Sequence, residues 1–202
     1  MTFLRSELCS SAQYFHQKGW MMGTAGNLSA KDAPDSFWIT ASGQSKGALS
    51  TEQFIHMNIA GNILKQPERT LKPSAETSIH QAIYTLFPKM NACLHVHMNE
   101  GNWVCDDYPK TQTIPLPHLE MLKGFGWTKG PAYIFVTENH DDVPQIAEDM
   151  LQFYKCTHEG FIVPGFLIRG HGITTWGETI EQARNRIELF SFIFSYMCRP
   201  KR

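Results

Sequence analysis

The sequence predicts a single α/β domain that spans residues 1–202. Segments rich in β-branched and aromatic residues alternate with segments whose apolar residues recur every three or four positions, which is the pattern of strands interspersed with amphipathic helices. No linker, repeat or low-complexity stretch divides the chain. Its length suffices to bury one hydrophobic core, so we expect one domain.

Five helices are predicted from this periodicity and from residues that begin or end helices. The first covers residues 3–18 and ends at Gly19, since glycine accepts the left-handed conformation of a C-terminal cap. The second begins at Pro73-Ser74-Ala75-Glu76, with Ser74 as its N-cap, and ends at Pro88. The remaining helices are expected at residues 99–106, 141–156 and 178–197.

The predicted strands lie between these helices. β-Branched and aromatic residues indicate strands at residues 37–41, 111–116, 132–137, 166–169 and 173–176, and a hairpin at residues 56–65. One further strand covers residues 91–97, where Leu94 and Val96 alternate with His95 and His97. Because successive side chains of a strand point to opposite sides, the two imidazoles share one face and the two apolar side chains the other.

Composition narrows the classes of function. The chain has 18 Lys and Arg against 19 Asp and Glu, and this balance argues against a nucleic-acid-binding surface. We expect the basic cluster at residues 199–202 to be a solvated tail. No apolar run approaches the ~20 residues that span a bilayer, and residues 1–7 lack the apolar region of a signal peptide. The five cysteines form no Cys-x-x-Cys pair, which predicts a protein of the reducing cytoplasm without a disulfide framework.

His95 and His97 are the first candidate metal ligands. Two imidazoles on one face of a strand can occupy adjacent corners of the shell of Zn²⁺, which in catalytic sites has three protein ligands and one open position. His171 lies between two glycines at the end of an apolar strand and is the natural third ligand. Each motif alone is also typical of ordinary polar residues on a sheet or in a turn. Together the three histidines predict a catalytic zinc site.

Two glutamates are candidates for acid–base chemistry. Glu76 opens the second helix, where it can supply a fourth metal ligand or a base, or simply stabilise the positive end of the helix. Glu120 lies in a short segment between Pro117 and Gly124, among apolar residues.

Two loops of small residues indicate an anion site. Residues 22–29 can expose several backbone N–H groups to a phosphate, although a plain turn into a strand fits the same residues. Residues 42–47 form a second such loop, which carries Lys46 as a point charge. The two loops together predict a pocket for a phosphate monoester.

Taken together, these motifs resemble the class II aldolase/adducin-like family. The likeness is carried by Thr24-Ala25-Gly26-Asn27-Leu28-Ser29, Ser42-Gly43, Pro73-Ser74-Ala75-Glu76, His95-Val96-His97 and Gly170-His171-Gly172. Within the family the chain is more similar to the bacterial dehydratases of methionine salvage, through residues 72–77, 118–124, 168–177 and 190–196.

The resemblance implies a central, mainly antiparallel β-sheet flanked by helices, and a cyclic homotetramer with active sites near subunit interfaces. It implies one zinc ion per subunit, and the ligands would be His95, His97 and His171. Glu120 would be the catalytic acid/base, and the role of Glu76 is open. The substrate phosphate would bind among Thr24, Gly26, Asn27, Ser42, Gly43, Lys46 and Ser74. One departure is Ser74-Ala75, which stands where many aldolases of the family have two serines.

The implied reaction is the loss of water from 5-methylthioribulose 1-phosphate, which gives 2,3-diketo-5-methylthiopentyl 1-phosphate. A sugar-phosphate aldolase or epimerase is an alternative, since zinc, the phosphate loops and Glu76 fit it equally well. The segment around Glu120 favours the dehydratase. A non-catalytic, adducin-like interaction module is the alternative from another class, and three convergent histidines argue against it. We expect a sugar-phosphate substrate and neither a nucleic-acid nor a membrane partner.

Overall fold

Nine strands form one sheet in the computed structural model, which describes residues 2–156 and 158–199. They are β1 (Asn27–Ala33), β2 (Ser36–Thr40), β3 (Phe54–Asn58), β4 (Ile63–Lys65), β5 (Ala92–Val96), β6 (Thr113–Pro115), β7 (Ala132–Thr137), β8 (Phe161–Ile168) and β9 (Gly172–Gly177). Their order in space is β4-β3-β2-β1-β5-β9-β8-β7-β6, and neighbours are antiparallel except for the parallel pair β7 and β8. The mainly antiparallel sheet implied by the resemblance is therefore confirmed.

Helices cover both faces of this sheet. They are α1 (Thr2–Gln17), α2 (Thr77–Leu86), α3 (Asn99–Asp107), α4 (Val143–Lys155) and α5 (Ile180–Met197). The apolar stripes of α1, α3 and α5 pack into one hydrophobic cluster, and those of α2 and α4 pack into a second. Strand β5 separates the two clusters, because Leu94 and Val96 belong to the first and Cys93 to the second. The predicted alternation of faces along this strand is thus confirmed.

Two local predictions were wrong or incomplete. Ser74 is not the N-cap of α2, which begins at Thr77 after the N-cap residue Glu76. A bridge between Ala41 and Pro73 ties the chain to the end of β2, so one hydrogen-bonded turn from Ser74 to Thr77 precedes the helix. Strand β1 was not predicted as a strand, since polar residues alternate there with Leu28 and small Ala30.

Within residues 2–156 and 158–199, no helix is both long and apolar enough to cross a membrane. Of the basic cluster at residues 199–202, residues 200–202 lie outside the described residues. All five cysteines are free thiols.

Strands β5 and β9 are adjacent although they are distant in sequence. His95 pairs with Thr174 in β9 and with Asn27 in β1, so β5 lies between the two segments that approach the histidines. Gly172 begins β9 at a close approach, because a Cβ placed there would lie 2.2 Å from the carbonyl oxygen of Val96. Glycine is required here by the space between two backbones.

We predict that Gly172→Ala lowers the free energy of unfolding by about 3 kcal/mol, the upper range for overpacking, because a backbone carbonyl cannot yield as a side chain can. Gly101→Ala is the matched control. Its Cβ would meet side-chain atoms of Leu167, Met98 and Phe194 at 3.0 Å or more, so its expected cost is under about 1 kcal/mol. Urea unfolding followed by circular dichroism measures both. Equal costs for the two variants would contradict the steric argument.

Candidate metal centre

Three imidazoles converge at the end of β5. His95 lies within the strand and His97 just beyond it, on the same face. His171 lies in the turn between β8 and β9, where Gly170 adopts a φ of +60° and the His171 N–H donates to the carbonyl of Ile168. The ring centroids are 4.8 Å apart for His95 and His97, 4.8 Å for His95 and His171, and 4.5 Å for His97 and His171. The structure therefore brings together the three histidines that the sequence predicts as ligands.

Glu76 completes this cluster from the N-terminus of α2. Its Oε1 lies 3.0 Å from Nε2 of His171, and its Oε2 lies 3.4 Å from Nε2 of His95. One possible ligand atom from each of the four residues lies within 4.8 Å of the other three. Three imidazoles and one carboxylate form a donor set suited to a divalent transition metal such as zinc.

The hydrogen bonding of the histidines also fits a metal. Nε2 of His95 and Nε2 of His97 are buried and have no hydrogen-bond partner among the described residues. Buried polar atoms are nearly always paired, so two such nitrogens in one cluster fit a site for a metal ion. Nδ1 of His95 lies 2.9 Å from Oγ1 of Thr174, which is the kind of contact that orients a metal-binding imidazole.

His95 and His97 have the protonation state that metal binding requires. Burial, more than any other effect, lowers the pKa of His95 to about 4, although the Glu76 carboxylate opposes the shift. Burial and the neighbouring His95 and His171 lower the pKa of His97 to about 3. Both rings are therefore neutral near pH 7, with a nitrogen lone pair free to bind a cation.

Glu76 is ionised in the same surroundings. Burial alone would raise the pKa of this carboxyl, but His95, His171 and the Asn27 amide together hold it well below its usual range. Nδ2 of Asn27 donates to Oε2 of Glu76 at 2.7 Å. The cluster thus combines a buried negative charge with neutral nitrogen ligands.

A cavity of about 170 Å³ adjoins the cluster of three histidines and Glu76, which is called the metal cluster below. All seven residues that the sequence predicts around a phosphate border it: Thr24, Gly26, Asn27, Ser42, Gly43, Lys46 and Ser74. Glu76 and His97 border it as well, so the cavity opens onto the metal cluster. It is smaller than the ~300–1,000 Å³ of typical small-molecule sites, and so is suited to one end of a sugar phosphate.

Lys46 is the cation of this cavity. Its ammonium donates to the carbonyl oxygens of Thr24 at 3.0 Å and Gln44 at 2.8 Å, and the side chain is almost completely buried. Because an ammonium has three donors, one remains for an anion. Burial lowers the pKa of Lys46 to about 8, with Glu76 opposing the shift. Lys46 is therefore mostly protonated at pH 7 and loses its positive charge as the pH rises through about 8.

Gly26 explains the shape of the first loop. Its φ is +75°, and a Cβ there would lie 2.7 Å from the carbonyl oxygen of His95 and 2.5 Å from Cε of Met21. The loop can lie directly against β5 only with glycine at this position. This contact sets the cavity beside the histidines.

Glu120 is not brought to this cluster. It begins a 3₁₀ turn, Glu120–Phe125, with a side chain that is 81% exposed and that pairs with Lys123 at 2.9 Å. It is absent from the residues that border the described cavity. Of the two glutamates that the sequence suggested for acid–base chemistry, Glu76 is therefore buried in the cluster and Glu120 lies on the surface.

The sequence reasoning missed two polar residues around the site, Thr174 and His80. Thr174 contacts His95, and the register between β5 and β9 that brings it there is not visible in the sequence. His80 contacts Asn27, and its signal was the spacing of four residues after Glu76, which places both on one face of a helix.

Curated relatives resemble this chain over nearly its whole length. Methylthioribulose-1-phosphate dehydratase of Microcystis aeruginosa is 45% identical over 195 residues, which cover 96% of this chain and 94% of the relative. The enzyme of the same name from Leptospira biflexa is 38% identical over 200 residues, 96% of this chain and 95% of the relative. The enzyme of the same name from Klebsiella pneumoniae is 34% identical over 194 residues, which cover 94% of this chain and 92% of the relative.

Solved structures share the fold at lower identity. YgbL from Escherichia coli superposes with a TM-score of 0.82 at 22% identity, covering 100% of this chain and 93% of that one. An L-fuculose 1-phosphate aldolase superposes with a TM-score of 0.80 at 20% identity, covering 98% of this chain and 86% of that one. At these identities the likeness establishes the architecture alone.

A family model matches residues 6–198, almost all of the chain. That match agrees with the relatives and the solved structures described above. The chain belongs to the family described as the Class II Aldolase and Adducin N-terminal domain.

Proposed function

We propose that this chain catalyses the metal-dependent dehydration of 5-methylthioribulose 1-phosphate to 2,3-diketo-5-methylthiopentyl 1-phosphate, a step of methionine salvage. The observation that supports it most is the cavity bordered by Lys46 and the small-residue loops, which opens directly onto the three-histidine cluster. A phosphate in this cavity would place the sugar chain at the cluster. Relatives up to 45% identical bear the name of this enzyme.

Zinc is the proposed metal, one ion per subunit, with His95, His97 and His171 as its ligands. When bound, such an ion supplies Lewis acidity, which polarises a ketone and makes the neighbouring C–H more acidic. Nitrogen-rich sets of this kind also bind other divalent ions, so metal analysis must accompany every assay.

Glu76 is proposed as a fourth group that holds the metal. Its carboxyl pKa lies well below the ordinary range because of the adjacent imidazoles and Asn27, so its tendency to take a proton near pH 7 is low. Its oxygens already lie 3.0 Å from His171 and 3.4 Å from His95. A residue in this position is better suited to fixing charge than to carrying a proton.

Glu120 is proposed as the acid/base that removes the proton from carbon 3 and returns one to the hydroxyl leaving carbon 4. Its exposure in the single chain suggests that it acts in the site of a neighbouring subunit. The exposed pair with Lys123 contributes little stability and leaves the carboxylate free to move. The small size of the cavity agrees, since a second subunit would enclose the rest of the substrate. We therefore propose a homotetramer with sites at its subunit interfaces.

The alternative of an aldolase or epimerase is less well supported. The L-fuculose 1-phosphate aldolase shares the fold at 20% identity, whereas the relatives named as dehydratases reach 45%. A non-catalytic module would have no need of a buried carboxylate and three convergent imidazoles. Free thiols in all five cysteines agree with the proposed cytoplasmic location.

We predict that the purified protein releases water from 5-methylthioribulose 1-phosphate and contains stoichiometric zinc. Glu120→Gln should keep the metal and lower turnover by ~10²-fold or more, because it removes only a proton carrier. His97→Ala should lose both metal and turnover. A coupled assay for the diketone and elemental analysis of the same sample measure these effects. Carbon–carbon cleavage in place of water loss would show an aldolase, and near-normal turnover in Glu120→Gln would remove Glu120 from this role.

The shared site predicts complementation between two inactive variants. Subunits of Glu120→Gln and His97→Ala are mixed, exchanged under mild denaturation and reassembled. If each site takes its metal ligands from one subunit and Glu120 from the next, random mixing restores about one quarter of wild-type turnover, the product of two one-half chances. If Glu120 serves its own subunit, no turnover returns. Mixing each variant with itself is the control.

The pKa of Lys46 predicts how anion binding depends on pH. An anion binds the protonated ammonium, whose pKa in the free protein is about 8. The protonated fraction of Lys46 falls about twofold from pH 7 to 8, while the dianionic fraction of inorganic phosphate rises about twofold, so the affinity for phosphate should be nearly constant over that range. It should then fall towards tenfold per pH unit above that range, as the charge is lost. Calorimetric titration between pH 7 and 9.5 measures the decline. Lys46→Arg keeps its charge and should flatten the curve, whereas an equal decline in both proteins would exclude Lys46 as the titrating group.

A further inference from the structure

A buried line of polar side chains runs from Glu76 into the core between α2 and β1. Glu76, His80 and Tyr84 are spaced four residues apart, and Asn27 and Ser29 two residues apart. Four residues of helix rise about 6 Å and two residues of strand about 6.8 Å, so the two sets interleave at matching intervals. The side chains alternate in the order Glu76, Asn27, His80, Ser29, Tyr84.

Every neighbouring pair in this line is within hydrogen-bond distance. Nδ2 of Asn27 lies 2.7 Å from Oε2 of Glu76, and Oδ1 of Asn27 lies 2.5 Å from Nε2 of His80. Nδ1 of His80 lies 2.6 Å from Oγ of Ser29, which lies 2.7 Å from the hydroxyl of Tyr84. All five side chains are buried, and His80 and Ser29 have no exposed surface.

The donors in this line can be assigned by elimination. An ionised carboxylate only accepts, so the Asn27 amide must turn its NH₂ group to Glu76 and its oxygen to His80. Nε2 of His80 must then carry the proton. Burial lowers the pKa of His80 to about 4, so the ring is neutral and Nδ1 accepts from Ser29. Ser29 in turn accepts from Tyr84. Every bond then donates in the direction of Glu76.

We infer that His80, supported by Ser29 and Tyr84, is a positioning residue that fixes the orientation of the Asn27 amide. With its oxygen held by His80, Asn27 presents one N–H to Glu76 and keeps the second for the cavity that it borders. A flipped amide would point its oxygen at the carboxylate and at any bound phosphate, and would repel both. The line ends in the core at Tyr84, which is 1% exposed, so it orients groups and does not conduct protons from solvent.

The contribution to phosphate binding rests on the proposed function, whereas the hydrogen-bond direction does not. The first test is therefore spectroscopic. Long-range ¹H–¹⁵N spectra of histidine-labelled protein distinguish a protonated from an unprotonated ring nitrogen, and loss of the signal in His80→Gln assigns it. A neutral His80 protonated at Nε2 is the expected result. Protonation at Nδ1 would overturn the inference, because Asn27 would then have to donate to His80.

Two variants separate positioning from mere packing. His80→Gln can keep a donor near the place of Nε2, and His80→Asn keeps an acceptor near the place of Nδ1 but loses the bond to Asn27. The affinities for Zn²⁺ alone and for inorganic phosphate, measured by calorimetry, should stay within about threefold of wild type in His80→Gln. In His80→Asn the phosphate affinity should fall about tenfold, as expected when one well-made hydrogen bond is lost.

Stability is measured in the same samples by urea unfolding, since both variants lose one buried bond. Equal losses of phosphate affinity in the two variants would show that His80 is only structural. Suppose that His80 is protonated at Nε2 and that only His80→Asn loses phosphate affinity, but that the wild-type protein has no dehydratase activity. The positioning role would then stand, and the proposed reaction would be refuted.

Discussion

The site depends on one buried charge, the carboxylate of Glu76. A carboxylate in the interior is costly unless donors or a cation compensate it. Here an imidazole N–H of His171 can donate a hydrogen bond to Oε1 of Glu76, and the Asn27 amide donates one to Oε2. A divalent ion bound to the three histidines would add the missing positive charge and occupy Nε2 of His95 and Nε2 of His97, which have no hydrogen-bond partner within the described part of the chain. Binding of such an ion would therefore couple to folding through Glu76.

The sheet topology brings that charge and its partners together. The histidine and glutamate cluster draws on the start of α2, on β5 and on the turn between β8 and β9. The first two are consecutive elements, whereas the turn is far away in sequence. Pairing of β5 with β9 places Thr174 opposite His95, and the close backbone approach at Gly172 fixes the turn that carries His171. The small-residue loop before β1 reaches the same place because Gly26 can lie against the carbonyl of His95. The cavity that Lys46 borders and the cluster of three histidines and Glu76 are consequently built on the same strands and turns.

The spacing of apolar and polar residues along the chain was sufficient to predict much of this arrangement. Alternation along residues 92–97 predicts the two faces of β5, because the period of two is a property of the backbone itself. Strand β1 escaped prediction because its buried polar face meets polar residues of α2, and a rule that equates burial with apolar residues cannot detect such pairing. The start of α2 was misplaced because the bridge between Ala41 and Pro73 is a long-range contact. His80 became visible only when the register of helix against strand was known.

The two glutamates show why surroundings, and not residue type, decide a role in such a site. Glu76 is enclosed by groups that favour its charged form, and a carboxylate stabilised in this way is a weak base but a good fixed charge. Glu120 lies on a short exposed turn, and in the proposed tetramer its side chain would approach a substrate held by another subunit. The proposed dehydration would use both properties, a fixed charge beside the metal and a group that moves a proton from one carbon to a leaving hydroxyl. In the proposed tetramer, a mobile carboxylate on a separate surface element would satisfy both needs and would tie catalysis to assembly of the oligomer.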